Sequence, residues 1–512
     1  MSRTLHDLVT RTARRHPGAT ALAVAGEAPL TYAQLIEQST TTARAIAARI
    51  GTVPRRIGLM GHKNTATYVS YLAILQLGAS VVPISTTAPA ARVAAICEAA
   101  QLPLVLTDQA DVSVLTGLDE IPGAPEVVPI AELNTTRACA TPPPAPDGTN
   151  PVAYIIFTSG TTGRPKGVPI THTNALTCVE HNIRTYEVAP GDRVTQTFDF
   201  AFDPSVFDIF VAWGAGATLV APAPADLLHP AAWVRREQIT HWFSVPSTIA
   251  AAATLGELEA DTMPSLKISM FAGEQLTVDR AKAWKAAAAH SRMENLYGPT
   301  ELTIVVSRYC LPADTRQWPE TDNGTVPIGR IYPHMEWAVV MDGHAALQGE
   351  LCVRGPQRFT GYLDPQHNTG RYYDRRGDVY LPLAEGTAPT ADAWYRTGDR
   401  VAVTNDGGLL HLGRLDSQVK IRGFRIELPE VEGALRLLPY VQDAVVVAAP
   451  GRSGHLELSA FYTGTATDAR TLRSGLGATL PAYMIPRRLT HLDSFPLTPN
   501  GKVDRTHLLQ QA

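Results

Sequence analysis

A segment rich in hydroxyl side chains and glycine follows an apolar stretch in the first third of the chain. The apolar stretch is Tyr154–Phe157, and the segment after it reads Thr158-Ser-Gly-Thr-Thr-Gly-Arg-Pro-Lys-Gly167. Glycines let backbone N–H groups approach a phosphate, and hydroxyls and a lysine supply further donors. It is not a Walker loop because, counting from Gly160, Pro165 stands where the second glycine belongs. We interpret the segment as a phosphate-binding loop, with a flexible loop that binds nothing as the alternative.

Further motifs follow the loop along the chain. They are Asn295-Leu-Tyr-Gly-Pro-Thr-Glu301, Gly349–Gly355, Trp394–Asp399, Gly413–Glu427, Leu480–Pro486 and Pro499–Asp504. Together with the loop, these motifs resemble those of the adenylate-forming superfamily, and more closely those of the amino-acid adenylation domains of nonribosomal peptide synthetases. The motifs stand in the family's order and extend over nearly the whole chain, so the resemblance rests on much more than one loop.

The resemblance implies a reaction that joins a carboxylate to the α-phosphate of ATP and releases pyrophosphate. The substrate carboxylate is then the nucleophile, so the reaction needs no Ser/His/Asp triad. The protein has to orient two anions and offset the charge that develops between them. ATP and Mg²⁺ are the cofactors that the resemblance implies.

The family's nucleotide-binding residues can be carried over position by position. By resemblance, Thr300 contacts the α-phosphate and Glu301 holds Mg²⁺. Asn295 would bind the adenine edge, Tyr297 would stack on its face, and Asp399 would accept the ribose hydroxyls. The remaining residues expected around ATP and its phosphates are Thr158, Ser159, Gly160, Thr161, Thr162, Gly163, Lys166, His411 and Arg414.

Single residues in this set have plainer interpretations. Tyr297 alone would be read as a core residue, and Asp399 as a turn residue, but the surrounding motifs favour binding roles. His411 stands where the family often has an aromatic residue that packs near adenine. A neutral imidazole can also stack there.

Three residues after position 414 are expected to serve the two reactions and the change between them. A lysine so close to the end of a chain is usually solvated, but Lys502 keeps the family's Pro-Asn-Gly-Lys setting. The resemblance implies that Lys502 bridges the substrate carboxylate, the α-phosphate and the ribose. It also implies that Asp416 is a hinge and that Lys420 supports a second, thioester-forming reaction.

The segment Phe202–Asp208 resembles the family segment in which an aspartate binds the α-ammonium of the substrate, and Asp203 is that aspartate. A buried carboxylate is costly unless it is paired, so a cationic amine fits. The alternative is a helix-capping aspartate. The other expected pocket residues are Pro204, Phe207, Ser244, Met270, Ala272, Leu296, Ile304 and Val305.

None of these other pocket residues is charged, which disfavours charged side chains on the substrate. Ser244 offers one polar contact, while Phe207, Met270 and Leu296 take up volume. We therefore expect a small or medium neutral amino acid, similar to proline or alanine, of either L or D configuration.

Composition narrows the class of protein. The chain has 512 residues, a formal net charge of −4 and 45% hydrophobic residues. These values exclude a collagen, a disordered chain and a strongly basic nucleic-acid binder. The five cysteines form no C-x-x-C pair, which argues against a zinc site and a disulfide framework. The N-terminus has no apolar signal-peptide region, so we expect a cytoplasmic protein with neither a membrane nor a nucleic acid as a partner.

The order of predicted elements indicates an α/β fold. Thr31 and Gln34 form a capping box that opens a helix to Ile50. Short strands such as Arg56–Met60 and Leu104–Thr107 alternate with alanine-rich helices, which is typical of a mostly parallel sheet. The uncharged run from Asn64 to Ala91 fits a helix and a strand better than a membrane span.

We expect a large N-terminal domain (residues 1–414) of layered sheets and a small mobile α+β lid domain (residues 415–512). The Gly- and Pro-rich stretch at about 322–398 predicts a β-rich subdomain within the large domain. The proline-rich segment Thr141–Thr149 predicts a loop or linker.

The sequence lacks a carrier-domain motif, so we expect a free-standing enzyme that loads a separate holo peptidyl carrier protein. It leaves open whether a small activator protein is needed. One alternative is an acyl- or aryl-CoA ligase on the same fold, against which Asp203 argues. The other is an inactive nucleotide-binding regulator, which the retention of Lys166, Glu301, Asp399 and Lys502 opposes.

Overall fold

The computed structural model describes residues 3–109, 118, 123–133, 151–160, 164–451, 455–496 and 503–512. The α-helices within these ranges are α1 (Leu5–Arg15), α2 (Tyr32–Ile50), α3 (Thr65–Gln76), α4 (Ala90–Ala100), α5 (Ile130–Leu133), α6 (His172–Thr185), α7 (Pro204–Ala215), α8 (Pro230–Glu237), α9 (Ser247–Thr254), α10 (Val278–Ala287), α11 (Leu428–Arg436), α12 (Ala469–Gly477) and α13 (Arg505–Gln511).

The strands of the same ranges are β1 (Thr20–Val24), β2 (Leu30–Thr31), β3 (Arg56–Met60), β4 (Ser80–Pro83), β5 (Leu104–Thr107), β6 (Glu126–Pro129), β7 (Val152–Thr158), β8 (Lys166–Thr171), β9 (Arg193–Thr195), β10 (Thr218–Ala221), β11 (His241–Ser244), β12 (Ile268–Phe271), β13 (Arg292–Tyr297), β14 (Ser307–Cys310), β15 (Arg330–Ile331), β16 (Glu336–Met341), β17 (His344–Ala345), β18 (Gln348–Arg354), β19 (Tyr372–Arg376), β20 (Val379–Pro382), β21 (Trp394–Val403), β22 (Leu409–Arg414), β23 (Gln418–Ile421), β24 (Phe424–Glu427), β25 (Val441–Pro450), β26 (Leu456–Gly464) and β27 (Arg488–His491).

Local signals set several of these boundaries. The Thr31 hydroxyl accepts the N–H of Gln34, and the Gln34 side chain accepts the N–H of Thr31, so the predicted capping box opens α2. The helix ends at Gly51, whose φ of 71° is a conformation that glycine adopts at little cost. Strands β3 and β5 have the bounds that the sequence predicted.

Two sheets form the layers of the large part of the molecule. The six-stranded sheet has the order β6-β5-β3-β4-β7-β8 and is parallel except for β8. The nine-stranded sheet has the order β15-β14-β13-β12-β11-β9-β10-β1-β2. Helices α1, α2, α3, α6 and α7 pack between the two sheets and share one hydrophobic core with them. The predicted layered α/β architecture is confirmed.

A seven-stranded antiparallel sheet follows from β16 to β22, which confirms the predicted β-rich subdomain and extends it to Arg414. After it come the hairpin β23–β24 and the three-stranded sheet β25-β26-β27 with its own core. The chain changes sheets between Arg414 and Gln418, and Asp416 lies in this connection. The division into domains 1–414 and 415–512 stays a prediction.

The uncharged run from Asn64 to Ala91 is divided between α3 and β4, as predicted. Among the described residues, no helix is both long enough and apolar enough to cross a membrane. The cysteines within the described ranges, Cys97, Cys178, Cys310 and Cys352, are free thiols. The predicted linker Thr141–Thr149 lies outside the described residues.

Candidate active site

The predicted phosphate-binding segment lies between two paired strands. Thr158, the last residue of β7, lies opposite Lys166, the first residue of β8, so the loop begins and ends at one antiparallel pair. A Cβ atom on Gly160 would lie 2.1 Å from the carbonyl oxygen of Arg164, so this position has room only for glycine. Ser159 and Lys166 are buried. The predicted residues Thr161, Thr162 and Gly163 lie outside the described residues.

Asp399 is the centre of a polar cluster in a cavity of about 410 Å³. Its carboxylate accepts the hydroxyl of Tyr297 at 2.6 Å and Nη1 of Arg414 at 3.0 Å, and His411 Nε2 lies 3.1 Å away. Burial alone would raise the pKa of Asp399, but Arg414 and His411 hold it well below its usual range. The structure thus brings four predicted nucleoside-binding residues into direct contact.

Asn295 lines the same cavity near the end of β13. Its side-chain NH₂ donates to the carbonyl oxygens of Val326 and Pro327 at 3.1 and 2.9 Å. Both hydrogens of the amide are therefore engaged, and the side chain can face a ligand only with its carbonyl oxygen. A carbonyl acceptor suits the exocyclic amino group of adenine.

Asp203 directly precedes α7, with Pro204 at the first helical position. Its side chain makes no capping bond to that helix. Instead, Oδ2 accepts the backbone N–H of Ile304 at 3.1 Å, and the side chain also bonds to the Thr300 side chain. Burial raises the pKa of Asp203 to about 6, and the nearby Lys420 opposes this rise. These contacts favour a site carboxylate over a helix cap.

Most of the predicted pocket residues share one buried core. Phe207 lies on α7 and packs against Phe243 with ring centroids 4.9 Å apart. The others in this core are Met270, Ala272, Leu296, Ile304 and Val305, each no more than 4% exposed. Pro204 is half-buried at the start of α7.

Ser244, the one polar member of the predicted set, is engaged by its neighbours. Its hydroxyl accepts the indole N–H of Trp242 at 2.9 Å and donates to the carbonyl oxygen of Val245 at 3.2 Å. Residues two apart on a strand share a face, so Ser244 lies on the same side of the sheet as Trp242. Its contact with a substrate stays a prediction.

A strained turn carries the N–H that Asp203 accepts. Thr303 and Ile304 have φ values of 61° and 71°, a region that β-branched residues rarely adopt. Gln357 supports this turn, because its side-chain amide lies 3.2, 3.3 and 2.8 Å from the carbonyl oxygens of Leu302, Thr303 and Val305. Strain of this kind costs about 1–3 kcal/mol per residue and persists only where the surroundings enforce it.

Glu301 is fully buried and keeps its charge. Its carboxylate accepts the hydroxyl of Tyr362 at 2.6 Å and Nη1 of Arg425 at 2.8 Å. Burial would raise the pKa of Glu301, but Arg425 and Tyr362 lower it to about 2. An ionised carboxylate fits Mg²⁺, which is commonly bound by one or two carboxylates together with substrate phosphates. No group of three or more His, Cys, Asp or Glu side chains suited to a metal occurs among the described residues.

The predicted hinge residue Asp416 lies on the connection after β22, and the predicted lid residue Lys420 lies on β23. Lys420 lines the cavity, where burial lowers its pKa while Asp399 and Asp203 oppose that change. Asp416 accepts two bonds from Arg414, at 2.8 Å from Nε and 2.6 Å from Nη2. Lys502 lies outside the described residues, and its role stays a prediction.

Sequence reasoning missed several residues of this site. Tyr362 and Arg425 contact Glu301, Glu430 accepts the N–H of Gly160 at 3.2 Å, and Gln357 supports the strained turn. Arg425 stood inside a motif that the sequence had already singled out, so it could have been found. Gln357 gave no signal, because the carbonyl oxygens that its side-chain NH₂ contacts lie more than 50 residues away in the sequence.

Comparisons with known proteins identify the family of this chain. Residues 9–363 match the AMP-binding enzyme family, and residues 430–502 match the AMP-binding enzyme C-terminal domain. Gramicidin S synthase 2 of Brevibacillus brevis is 32% identical over 516 residues, which are 99% of this chain and 11% of that protein. The chain spans 6–21% of the length of this and seven other curated relatives.

Solved structures cover the whole chain. The crystal structure of IdnL7 is 35% identical with a TM-score of 0.69, covering 100% of this chain and 99% of that one. The Vibrio cholerae adenylation domain AlmE, in complex with glycyl-adenosine-5'-phosphate, is 26% identical with a TM-score of 0.83, covering 100% and 98%. The chain therefore belongs to the AMP-binding, adenylate-forming enzymes, and it is similar to segments of nonribosomal peptide synthetases.

Proposed function

We propose that this protein activates a neutral amino acid with ATP, forming an aminoacyl adenylate and releasing pyrophosphate. The observation that carries the proposal is the buried carboxylate of Asp203, which accepts only neutral donors in the bonds described above. An α-ammonium group would supply the cation that a buried carboxylate requires. A fatty or aryl acid has no such group.

In the proposed reaction, the main role of the protein is to position charged groups around the reacting atoms. A substrate carboxylate oxygen forms a bond to the α-phosphorus, while the bond from that phosphorus to the bridging oxygen of the β-phosphate breaks. Lys166 and the loop from Thr158 bind the leaving pyrophosphate, and Lys502 offsets charge at the α-phosphate. Glu301 would hold Mg²⁺, and the bound ion would supply positive charge at the phosphate oxygens.

The pocket supports a small or medium neutral substrate, similar to proline or alanine. Phe207, Met270 and Leu296 fill volume with apolar side chains and offer no charged partner. The relative AlmE was solved with a glycyl adenylate, which agrees with a small amino acid. A charged side chain would be desolvated here without a partner, at considerable cost.

We further propose that the activated acid passes to the phosphopantetheine thiol of a separate carrier protein. The sulfur attacks the carboxyl carbon, the bond from that carbon to the AMP oxygen breaks, and AMP leaves. The position of Lys420 in the cavity supports this second step, with Asp416 as the hinge between domains 1–414 and 415–512. Rotation about a hinge lets one site serve two reactions.

Amino-acid-dependent pyrophosphate exchange tests the first step. The assay should span the proteinogenic amino acids, their D forms and the des-amino analogue of the best substrate. We expect exchange with one or a few neutral amino acids and none with the analogue. Equal exchange with the analogue, or faster loading of free CoA than of every holo carrier, would favour the CoA ligase instead. ATP binding without exchange for any acid would indicate a regulator.

Two lysine variants separate the two steps, and each is the control for the other. Lys502→Ala should slow adenylate formation about 10²–10³-fold, because a charge-assisted contact in the transition state is lost, yet it should still transfer a pre-formed adenylate. Lys420→Ala should keep exchange and slow loading of the holo carrier, as measured by mass spectrometry. Near-normal exchange in Lys502→Ala would remove that lysine from the mechanism.

A further inference from the structure

The turn that carries the N–H of Ile304 is held by one buried amide. Gln357 is fully buried, and its Nε2 faces the carbonyl oxygens of Leu302, Thr303 and Val305 at 3.2, 3.3 and 2.8 Å. Only a donor can face three carbonyl oxygens, so Nε2 belongs to the NH₂ group and Oε1 is the acceptor of the amide. The hydroxyl of Thr303 also donates to the backbone carbonyl oxygen of Gln357 at 2.5 Å. The orientation of this amide therefore decides how firmly the turn is held.

His334 lies on the acceptor side of this amide. Its Nε2 is 2.6 Å from Oε1 of Gln357. Because Oε1 can only accept, Nε2 of His334 carries the hydrogen and donates it. The amide of Gln357 is therefore held at both ends, by three carbonyl oxygens on one side and by a half-buried imidazole on the other. Rotation of the amide away from the turn would also break the bond to His334.

The backbone around His334 packs tightly against the segment that carries Gln357. The N–H of Gln357 donates to Sδ of Met335 at 3.4 Å. A Cβ atom on Gly355 would lie 2.9 Å from Sδ of Met335 and 3.2 Å from the carbonyl oxygen of His334, so the two segments approach as closely as a glycine allows. The φ of Gly355 is 135°, which also requires glycine. This close approach places the imidazole of His334 within reach of the amide.

Helix α6 supports the same turn through weaker contacts. The hydroxyl of Tyr332 donates to Oδ1 of Asn182 at 2.9 Å, and the side-chain NH₂ of Asn182 donates to Sγ of Cys178 at 3.5 Å. Sγ of Cys178 in turn lies 3.9 Å from the carbonyl oxygen of Val305. A thiol is a weak donor, whereas the amide of Gln357 lies 2.8 Å from the same oxygen. The stronger support of the turn is therefore the amide that His334 orients.

We propose that His334 is a positioning residue of the amino-acid site, because its Nε2–H orients the amide of Gln357 and thereby holds the N–H of Ile304 on Asp203. The inference rests on the proposed function, in which Asp203 binds the ammonium group of the substrate. The connection has three bonded steps, from His334 to Gln357, from Gln357 to the turn, and from Ile304 to Asp203. Loosening the first step should impair use of the amino acid and leave use of ATP unchanged.

Pyrophosphate-exchange kinetics of His334 variants test this role. His334→Phe keeps a ring but has no donor, and it should raise the KM for the amino acid about two- to fivefold, since one neutral hydrogen bond is lost. The KM for ATP and kcat should stay at their wild-type values. His334→Gln provides an NH₂ group in place of Nε2–H and should restore most of the loss. His181→Phe is the matched control, because the ring of His181 packs against His334 with centroids 4.9 Å apart, and it should behave as wild type does.

The double variant His334→Phe/Gln357→Leu shows whether His334 acts through Gln357. Its KM for the amino acid should equal that of Gln357→Leu alone, because the amide that His334 orients is already absent. Additive effects of the two changes would overturn the inference. So would a wild-type KM in His334→Phe, or an equal effect of His181→Phe, with the proposed function left intact. A wild-type enzyme that shows exchange with no amino acid would overturn the proposed function and this inference with it.

Discussion

Two buried carboxylates of the same active site have pKa values displaced in opposite directions. Asp399 is 3% exposed and Asp203 is 8% exposed, so both lose most of their hydration. Asp399 has the guanidinium of Arg414, the hydroxyl of Tyr297 and the ring of His411 against it. Asp203 bonds to one backbone N–H and one hydroxyl. Cationic partners, more than depth of burial, decide the charge state of a buried acid.

The two carboxylates differ in whether the protein itself supplies a cationic hydrogen-bond partner: Asp399 has one, and Asp203 does not. In the cluster predicted to bind the nucleoside, the protein itself supplies the donors that keep Asp399 ionised before any ligand arrives. At the substrate end, burial raises the pKa of Asp203 to about 6. Under the proposed function, the substrate completes this region with its own ammonium group.

Asp203→Asn should break the substrate region and have the largest effect. The change keeps the shape of the side chain but removes the charge that pairs with the ammonium. Losing one partner of a buried charge pair costs about 2–5 kcal/mol, which corresponds to a loss of about 30- to 4,000-fold in kcat/KM for the amino acid. The KM for ATP should change little. Steady-state exchange kinetics measure both, and an equal rise in both KM values would contradict the assignment.

Asp399→Asn should impair the use of ATP and leave the choice of amino acid unchanged, which is the reverse of the effect of Asp203→Asn. Arg414 and Tyr297 would lose a charged acceptor, and hydrogen bonds to charged groups contribute about 1.5–3 kcal/mol each. We expect the KM for ATP to rise about 10- to 100-fold, with the ranking of amino acids unchanged. A changed amino-acid preference would show that the two regions are not separate.

The pH dependence of amino-acid use and of ATP binding should also distinguish Asp203 from Asp399. With a pKa of about 6, Asp203 gains its proton as the pH falls through this value, and kcat/KM for the amino acid should fall about tenfold per pH unit below it. Asp399 stays ionised over the same range, so ATP binding should stay flat. An unchanged profile in Asp203→Asn would assign the titration to another group.

The same shift has a consequence for stability, with a definite sign. Because the folded-state pKa of Asp203 lies above its ordinary value, the folded protein binds the proton more tightly than the unfolded chain does. The contribution of Asp203 to the free energy of unfolding is therefore present at low pH and lost as the pH rises through about 6. Denaturant titrations at several pH values give the free energy of unfolding of wild type and of Asp203→Asn. This free energy should fall more steeply with rising pH in wild type than in the variant.

Gln357→Leu should have the smallest effect. The variant removes the amide that supports the turn at Thr303 and Ile304 without removing any group that meets a substrate. A lost hydrogen bond of this kind costs about 0.5–1.5 kcal/mol, so we expect a two- to tenfold higher KM for the amino acid and an unchanged KM for ATP. Gln357→Glu keeps a polar side chain of similar size and tests whether the donor itself matters. A fall in kcat alone would contradict this positioning role.

Local patterns predicted much of the fold. The capping box at Thr31 set the start of α2, and apolar runs set strands such as Arg56–Met60, because these features depend on neighbours in the sequence. Motifs also predicted the cluster around Asp399, since Tyr297, His411 and Arg414 each lay in or beside a motif.

Contacts between distant segments could not be predicted. The bond between Arg425 and Glu301 joins residues 124 positions apart and exists only while the C-terminal hairpin lies against the large part. The engagement of Ser244 by Trp242 depends on which face of β11 carries the serine, and a fully buried strand gives no alternation to reveal it.

The N–H of Ile304 donates to Asp203, so under the proposed function the backbone of one predicted pocket residue helps to hold the carboxylate that binds the amine. Ile304 is a predicted residue of the substrate pocket, it donates its N–H to Asp203, and its φ is positive. Few residue types can therefore replace Ile304 without disturbing the backbone here. Glycine would relax the backbone at this position, whereas proline would remove the N–H that Asp203 accepts. Under the proposed function, a substitution of Ile304 made to change the substrate range therefore also changes how Asp203 is held.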